Sequence, residues 1–260
     1  KIRLPEFQNM SQKQAEAEFL KRIDYYKLIY EPLLTERNYI RLESLQNKII
    51  GEKHTDAIPL YARIRDYLVT DEVKNLVLVR HTQTEYNLED RIGGDSGLTE
   101  KGMKQARALG LFFSRRKISY IFTSMKLRTR RTAEAIADLQ KNCRIVALKE
   151  FDEINAGVCE GMTYAEIERQ MPEIFRLREA NKYDYAYPEG ESYAKMRGRV
   201  EDGIKKSFFL NRSSDNILIV GHQAVNRMIL SHFLYRRKED VPYIYVPQDR
   251  FYHIVSTQNK

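Results

Sequence analysis

Cysteine is almost missing: Cys143 and Cys159 are the only two in 260 residues. That excludes a disulfide framework and a zinc site, and it fits a reducing cytoplasm. No run of about 18 apolar residues occurs, and the start lacks the pattern of a secretory signal, so neither a membrane span nor export is expected. The chain also lacks a G-x-x-x-x-G-K-[ST] loop, and so cannot supply the phosphate cradle built on that motif. Zinc-finger, recognition-helix and aromatic RNA-binding signatures are absent, which argues against a nucleic-acid partner. No carboxylate cluster suggests a resident Mg²⁺. A soluble cytoplasmic protein without metal or cofactor is the expectation, and because the first residue is Lys1, a piece of something longer.

What is present is a basic, apolar-rich chain. At 42% hydrophobic residues, it can bury one large core, or one domain with a smaller attached piece. The net charge of +8 is uneven: residues 1–75 carry 13 Lys/Arg against 12 Asp/Glu, and residues 76–260 carry 31 against 24. The second part is therefore expected to meet anions, and a small polyanionic ligand needs only a few cations focused in one cleft.

Residues 11–30 place Phe19, Ile23, Tyr26 and Ile29 at helical spacing, with Glu31-Pro32 ending the pattern. A polar stretch follows, then a short helical or extended segment at 58–69. This N-terminal part looks too thin for a core of its own. From Asn75 strands and helices alternate: strand 76–80, helix 99–116, strand 119–123, helix 126–140, strand 145–149, helices 163–180 and 191–210, strand 216–221, helix 223–236, and strand-like 243–246 and 251–255. Such alternation predicts an α/β protein, a three-layer α/β/α sandwich around a mostly parallel sheet, preceded by a small helical N-terminal segment. The division falls at 1–73 and 74–260.

In a parallel sheet the residues after each strand's C-terminal end share one rim, where ligands bind. Those positions hold Arg80-His81, then Thr123-Ser124 with Arg128, then Glu153, then Gly221-His222-Gln223. A lone His or Arg in a loop is usually just solvated, but here two histidines, two arginines and a carboxylate converge. Together they suit phosphoryl transfer. A neutral imidazole, His81, can attack phosphorus and split one hard displacement into two easier ones. Arg80, Arg128 and His222, with the amide of Asn87, can hold the charge spread over the equatorial oxygens. Glu153 can protonate the leaving alkoxide. The loop "RIGGDSGLTEKG" (91–102) allows close backbone approach and positive φ at Gly93, Gly94 and Gly97, so its amides are expected to face the ligand before a helix begins near Thr99. Read as structure alone, it is a turn and a capped helix.

The ordered blocks "LVRHTQTEYN", "RIGGDSGLTEKG", "TSMKLRTRRTAEA", "DEINAGVCEGMTYAEI", "YPEGESY" and "ILIVGHQAVNR" resemble the histidine phosphatase superfamily. More narrowly they resemble the fructose-2,6-bisphosphatase domains of bifunctional 6-phosphofructo-2-kinase/fructose-2,6-bisphosphatases. The likeness covers about residues 74–255. It implies a phosphoglycerate mutase-like fold, no cofactor, and hydrolysis of the 2-phosphate of fructose 2,6-bisphosphate through a phosphohistidine at His81. Arg80, Asn87, Arg128 and His222 would form the phosphate pocket and Glu153 would be the acid. Gly94, Tyr164, Arg178, Lys182, Tyr193, Gln223 and Arg227 would bind the sugar bisphosphate. Arg178 and Lys182 lie four apart, on one helix face if the helix continues, as a second phosphate would require. Residues 22–33 and 64–69 resemble the end of the kinase module that precedes such phosphatases, so the partners expected are that missing module or a second copy of the chain.

Two departures from the family pattern carry expectations. Thr82 stands where the superfamily usually has Gly, and its branched side chain is expected to narrow the phosphate pocket or shift the loop, with modest activity. Asn155 stands where the bisphosphatases commonly have Asp, two residues beyond Glu153, and is expected to alter the hydrogen bonding around that acid. The rival readings are a phosphoglycerate mutase-like enzyme or broad phosphatase on the same fold, and a weakly active regulatory domain of a kinase.

Overall fold

A computed structural model describes residues 10–31, 35–43, 48–69, 75–211, 216–234 and 237–255. The chain divides into two compact units, residues 1–69 and 70–260. The boundary at 73–74 suggested by the sequence lies outside the described residues.

In the first unit, helix α1 (Gln12–Ile29) starts at Ser11, where a reciprocal Ser11–Gln14 capping box satisfies two N-terminal donors. The helix ends three residues short of Pro32, itself outside the described residues. The polar stretch that follows is not all loop, because strands β1 (Tyr39–Glu43) and β2 (Lys48–Lys53) pair antiparallel. Residues 58–69 resolve as a helix, α2 (Tyr61–Val69).

The second unit is built on a five-stranded sheet. In chain order its elements are β3 (Asn75–Arg80), α3 (Glu85–Leu88), α4 (Glu100–Phe113), β4 (Tyr120–Thr123), α5 (Leu127–Ala137), β5 (Arg144–Ala147), α6 (Tyr164–Gln170), α7 (Pro172–Ala180), α8 (Tyr193–Leu210), β6 (Asn216–Gly221), α9 (Gln223–Leu234) and β7 (Phe251–Val255). The strand order is β5-β4-β6-β3-β7. All neighbours are parallel except β7, which runs antiparallel along β3.

Alternation along the strands makes the three layers. Leu76 and Leu78 of β3, with Ile217 and Ile219 of β6, pack against Met196 and Val200 of α8 and Val225 and Ile229 of α9. The intervening Val77, Val79, Leu218 and Val220 pack on the other face against Phe113 of α4 and Ile136 of α5. The sheet is thus covered on both sides, as a parallel sheet of continuous apolar strands requires. Each fully buried Leu, Ile or Val contributes about 1.5–3 kcal/mol of burial, which is what holds the strand ends in register. That register sets Arg80 opposite Gly221, and His81 N–H continues the ladder to the Gly221 carbonyl at 3.0 Å.

Two expected elements differ. The helix predicted over 163–180 is two helices: at Met171 the backbone leaves the helical region (φ −136°, ψ 57°) and Pro172 opens α7, because proline pushes its predecessor out of helical geometry. The strand-like 243–246 is not a strand. A 3₁₀ helix (Lys238–Tyr243) runs into it, and arginines occupy its carbonyls: Arg227 Nε donates to Ile244 O at 2.8 Å and Arg80 Nη1 to Val246 O at 3.1 Å.

Candidate active site

The parallel strand ends open onto a cavity of about 740 Å³, within the usual range for small-molecule sites. Arg80, His81, Asn87, Arg128, Glu153, Tyr164, Arg178, Lys182, Tyr193, Gln223 and Arg227 all line it. Of the thirteen residues singled out by sequence, His222 and Gly94 do not.

His81 is buried, 4% exposed. Its Nδ1 lies 2.9 Å from the Thr82 carbonyl, which can only accept, so Nδ1 carries the proton and Nε2 keeps the lone pair. Burial holds the imidazole well below its ordinary pKa, and the charges of Arg128 and Arg80 push it further down. The ring is therefore neutral at pH 7, the state a nucleophile needs.

His222 sits behind this surface, fully buried, its ring centroid 5.3 Å from that of His81. Arg128 Nε donates to its Nδ1 at 3.2 Å. Guanidinium cannot accept, so Nε2 bears the hydrogen and donates to Ser124 Oγ at 2.7 Å. Burial, then the charge of Arg128, holds this imidazole too well below its ordinary pKa. The expectation that His222 touches the equatorial oxygens directly is corrected: the ring is neutral, stands off the main cavity and aims Arg128.

Gly93 and Gly94 both have positive φ (68° and 57°), and a Cβ on Gly94 would meet the Tyr86 ring at 2.4 Å. Gly93 lines the main cavity, but the Gly94 amide does not face it as expected. The Gly94 N–H donates to Glu160 Oε2 at 2.5 Å, and its carbonyl accepts from Arg128 Nη1 at 2.6 Å. Gly94 lines an adjoining cavity of about 640 Å³ that shares Arg128 and Glu153 with the first. The loop thus orients Arg128 from one side while His222 does so from the other.

Glu153 accepts from Ile154 N at 3.0 Å and from Ala224 N at 3.2 Å. Ala224 is the second residue of α9, whose first N–H groups have no partner within the helix. Asn155 does not reshape these bonds: its side chain accepts from Gly157 N at 2.8 Å. Nor does Thr82 narrow the cavity. It is fully buried, its N and Oγ1 each 3.2 Å from Thr132 Oγ1, facing α5.

A second group of cations gathers from α7, the loop after it and α9. Helix α7 stops at Ala180, so Arg178 and Lys182 do not share a helix face; instead Arg178 Nη1 donates to the Lys182 carbonyl at 2.6 Å. The Arg178 guanidinium lies over the rings of Tyr187 (5.2 Å) and Tyr193 (5.7 Å). Lys182 Nζ lies 5.2 Å above Tyr243. Arg227 Nη1 donates to Tyr193 Oη at 3.0 Å. Burial, then the charge of Arg178, lowers the Lys182 ammonium from its ordinary pKa. Among the described residues, no carboxylate lies within 4.0 Å of Arg80, Arg178, Lys182 or Arg227. Arg80 Nε and Arg178 Nε are buried without a hydrogen-bond partner among the described residues. Buried, unpaired guanidinium donors in one cavity suit a ligand with anionic oxygens.

Three contributors escaped sequence reasoning. Arg199 donates to the carbonyls of Glu150 and Asp152 at 2.8 and 2.7 Å and pairs with Glu191 at 2.7 Å, fixing the loop that carries Glu153. Tyr187 and Gln248 line the cavity. None lies at a strand end or in a helical repeat with its partners, so no local signal marks them.

Comparison with known proteins agrees with this geometry. Residues 76–260 match the family described as the histidine phosphatase superfamily (branch 1). The chain is 37% identical over 255 residues to 6-phosphofructo-2-kinase/fructose-2,6-bisphosphatase of Aquarana catesbeiana and 36% identical to 6-phosphofructo-2-kinase/fructose-2,6-bisphosphatase 1 of Homo sapiens. Each match covers 95% of this chain, which spans about half (52%) of the relative's length. Among solved structures, the alpha-ribazole phosphatase from Shigella flexneri superposes with a TM-score of 0.64 at 23% identity, over 71% of this chain and 91% of that one. The phosphoglycerate mutase from Bacillus anthracis superposes at 0.54 and 21%, over 64% and 83%. At those identities the likeness shows the fold alone. A family match running through nearly the whole second unit, on a sheet whose strand ends carry the motif residues, establishes that the chain belongs to branch 1 of the histidine phosphatase superfamily.

Proposed function

We propose that this chain hydrolyses the 2-phosphate of fructose 2,6-bisphosphate, giving fructose 6-phosphate and inorganic phosphate. The observation that carries the choice of substrate is the second cation group, Arg178, Lys182 and Arg227, in the same cavity as His81 and Arg80. A substrate with one phosphate leaves that group unmatched, and a sugar bisphosphate uses both. The names of the relatives support the same reading.

The reaction runs in two steps. His81 Nε2 attacks phosphorus, the bond from phosphorus to the sugar O2 breaks, and Glu153 gives its proton to the departing alkoxide. In the second step a water attacks phosphorus, Glu153 takes its proton, and the P–N bond breaks with its electrons returning to Nε2. Arg80, Arg128 and the Asn87 amide stabilise the equatorial oxygens throughout. The Nδ1–H bond to Thr82 O holds the imidazole in the reactive tautomer in both steps. Tyr164, Tyr193 and Gln223 are assigned to the sugar, and Gly94 to the loop that aims Arg128.

The first unit and the residues up to 73 are assigned, by resemblance, to the end of a kinase module. A longer kinase module or a second copy is the proposed partner. A cytoplasmic location suits the two free cysteines, one of them buried. Among the described residues no helix is long and apolar enough to cross a membrane.

Phosphate release from fructose 2,6-bisphosphate, fructose 1,6-bisphosphate and 3-phosphoglycerate, measured side by side, tests the assignment. The first is expected to be turned over with the highest kcat/KM. A preference for 3-phosphoglycerate would move the chain to the mutase-like reading.

A further inference from the structure

Gln248 enters the cavity on a segment with no assigned part in the chemistry. It follows Ile244 and Val246, whose carbonyls are tied to the cavity cations Arg227 and Arg80. Its side-chain nitrogen lies 2.8 Å from Asn87 Oδ1 and 3.3 Å from the His81 carbonyl. Amide oxygen and nitrogen are often hard to tell apart, but here the partners decide. The Thr84 N–H, which can only donate, lies 3.1 Å from the Asn87 side chain and fixes that atom as oxygen. The Gln248 atom facing this oxygen and a backbone carbonyl must then be the nitrogen.

Asn87 Oδ1 therefore receives two donors, Thr84 N–H and Gln248 Nε2. Its amide cannot turn over without setting its –NH₂ against both of them. Phosphoryl oxygens only accept, so an Asn87 held this way offers the ligand its donor side, and one turned over would offer a repelling oxygen. We propose that Gln248 is a positioning residue for phosphoryl transfer: it locks the Asn87 amide with its –NH₂ available to the transferring group. The inference rests on phosphoryl transfer to His81 and not on the identity of the sugar.

Because Asn87 acts on the group being transferred, its loss of orientation belongs to kcat and is felt by every substrate. Gln248→Met keeps length and neutrality and removes the donor. It is expected to lower kcat roughly tenfold, the low end for one hydrogen bond to a charged group, on fructose 2,6-bisphosphate and on an aryl phosphate alike. KM should change by less than about twofold. Gln248→His, which restores an N–H, should recover most of the rate. In an Asn87→Ala background the same Gln248→Met change should cost less than about twofold, since its target is gone. Thermal midpoints check that each variant is folded. Vanadate affinity by calorimetry supplies a readout without turnover, and Gln248→Met is expected to weaken it roughly tenfold. If the wild type turns over neither substrate, the proposed function fails, and the vanadate comparison still decides this inference. An unchanged kcat or vanadate affinity for Gln248→Met, or an equal loss in the Asn87→Ala background, would overturn it.

Discussion

The site has two groups of polar residues, and they are made differently. Around His81 the functional groups stand at strand ends and are buried: His81, Arg128 and His222 are 4%, 5% and 0% exposed. Sheet register and short bonds from His222, Gly94 and Thr82 leave them little freedom. Around Tyr193 the groups come from four helices and one loop: Arg178 and Tyr193 are buried too, at 6% and 2% exposed, while Lys182 reaches out to Tyr243 and Tyr164 is about half exposed at 48%. A preorganised group lowers a barrier, because its dipoles need not reorganise as charge moves. A group remote from the bond being broken supplies binding that is equal in ground and transition states. Chemistry is thus expected to reside in the strand-end group and substrate choice in the other.

Substitutions can break that division. The largest effect is expected for His81→Ala, which removes the nucleophile: turnover of both fructose 2,6-bisphosphate and an aryl phosphate should fall to background in a phosphate-release assay. Next comes Glu153→Gln, expected to slow phosphoryl transfer from the sugar about 100-fold to 10,000-fold, yet much less from an aryl phosphate that leaves without a proton. Equal losses on both would mean that Glu153 serves only to hold α9 to its loop. Arg178→Ala and Lys182→Ala are expected to raise KM for fructose 2,6-bisphosphate roughly 10-fold to 150-fold each, from about 1.5–3 kcal/mol per charged hydrogen bond. Their kcat should change little, and an aryl phosphate should not sense them. A fall in kcat on the aryl substrate would erase the distinction between the two groups.

The smallest effect concerns pH. His81 and His222 have folded-state pKa values depressed by burial and by Arg128, so both stay neutral in the fold where an unfolded chain would protonate them. Their neutrality costs nothing above the ordinary value near 6.5, and stability is lost as pH falls below it. The slope is up to about 1.4 kcal/mol per pH unit for each group until its folded pKa is reached. Urea midpoints should accordingly fall from pH 7 to pH 5. The acid limb of kcat/KM, if it reports His81, should lie below 6.5; a limb at 6.5 would mean that the ring is not shielded as the structure shows.

The strand-end group was legible in sequence because a buried parallel strand has only one place to put its next residue. "LVLV" and "ILIV" announce themselves, and Arg80, His81 and His222 follow at once. The other group was legible only through family resemblance. The α7 break at Met171-Pro172 and the end of α7 at Ala180 show why: Arg178 and Lys182 meet through a side-chain bond to a carbonyl, and spacing alone would set them on a solvated helix. "YIYV" looked like a strand because apolar β-branched and aromatic residues favour one. Its carbonyls instead serve Arg80 and Arg227, a tertiary use that no local pattern encodes. The role of Arg199 is of the same kind, since its partners at Glu150, Asp152 and Glu153 lie more than forty residues away.

The central claim is that the neutral Nε2 of His81 accepts the phosphoryl group. Fructose 2,6-bisphosphate labelled in the 2-phosphate, mixed with the chain and quenched within one turnover, tests it most directly. The account predicts acid-labile, base-stable label on a single peptide containing His81, formed and lost at rates that support kcat. Turnover at full rate with no label on the protein, or label on any other residue, would contradict it.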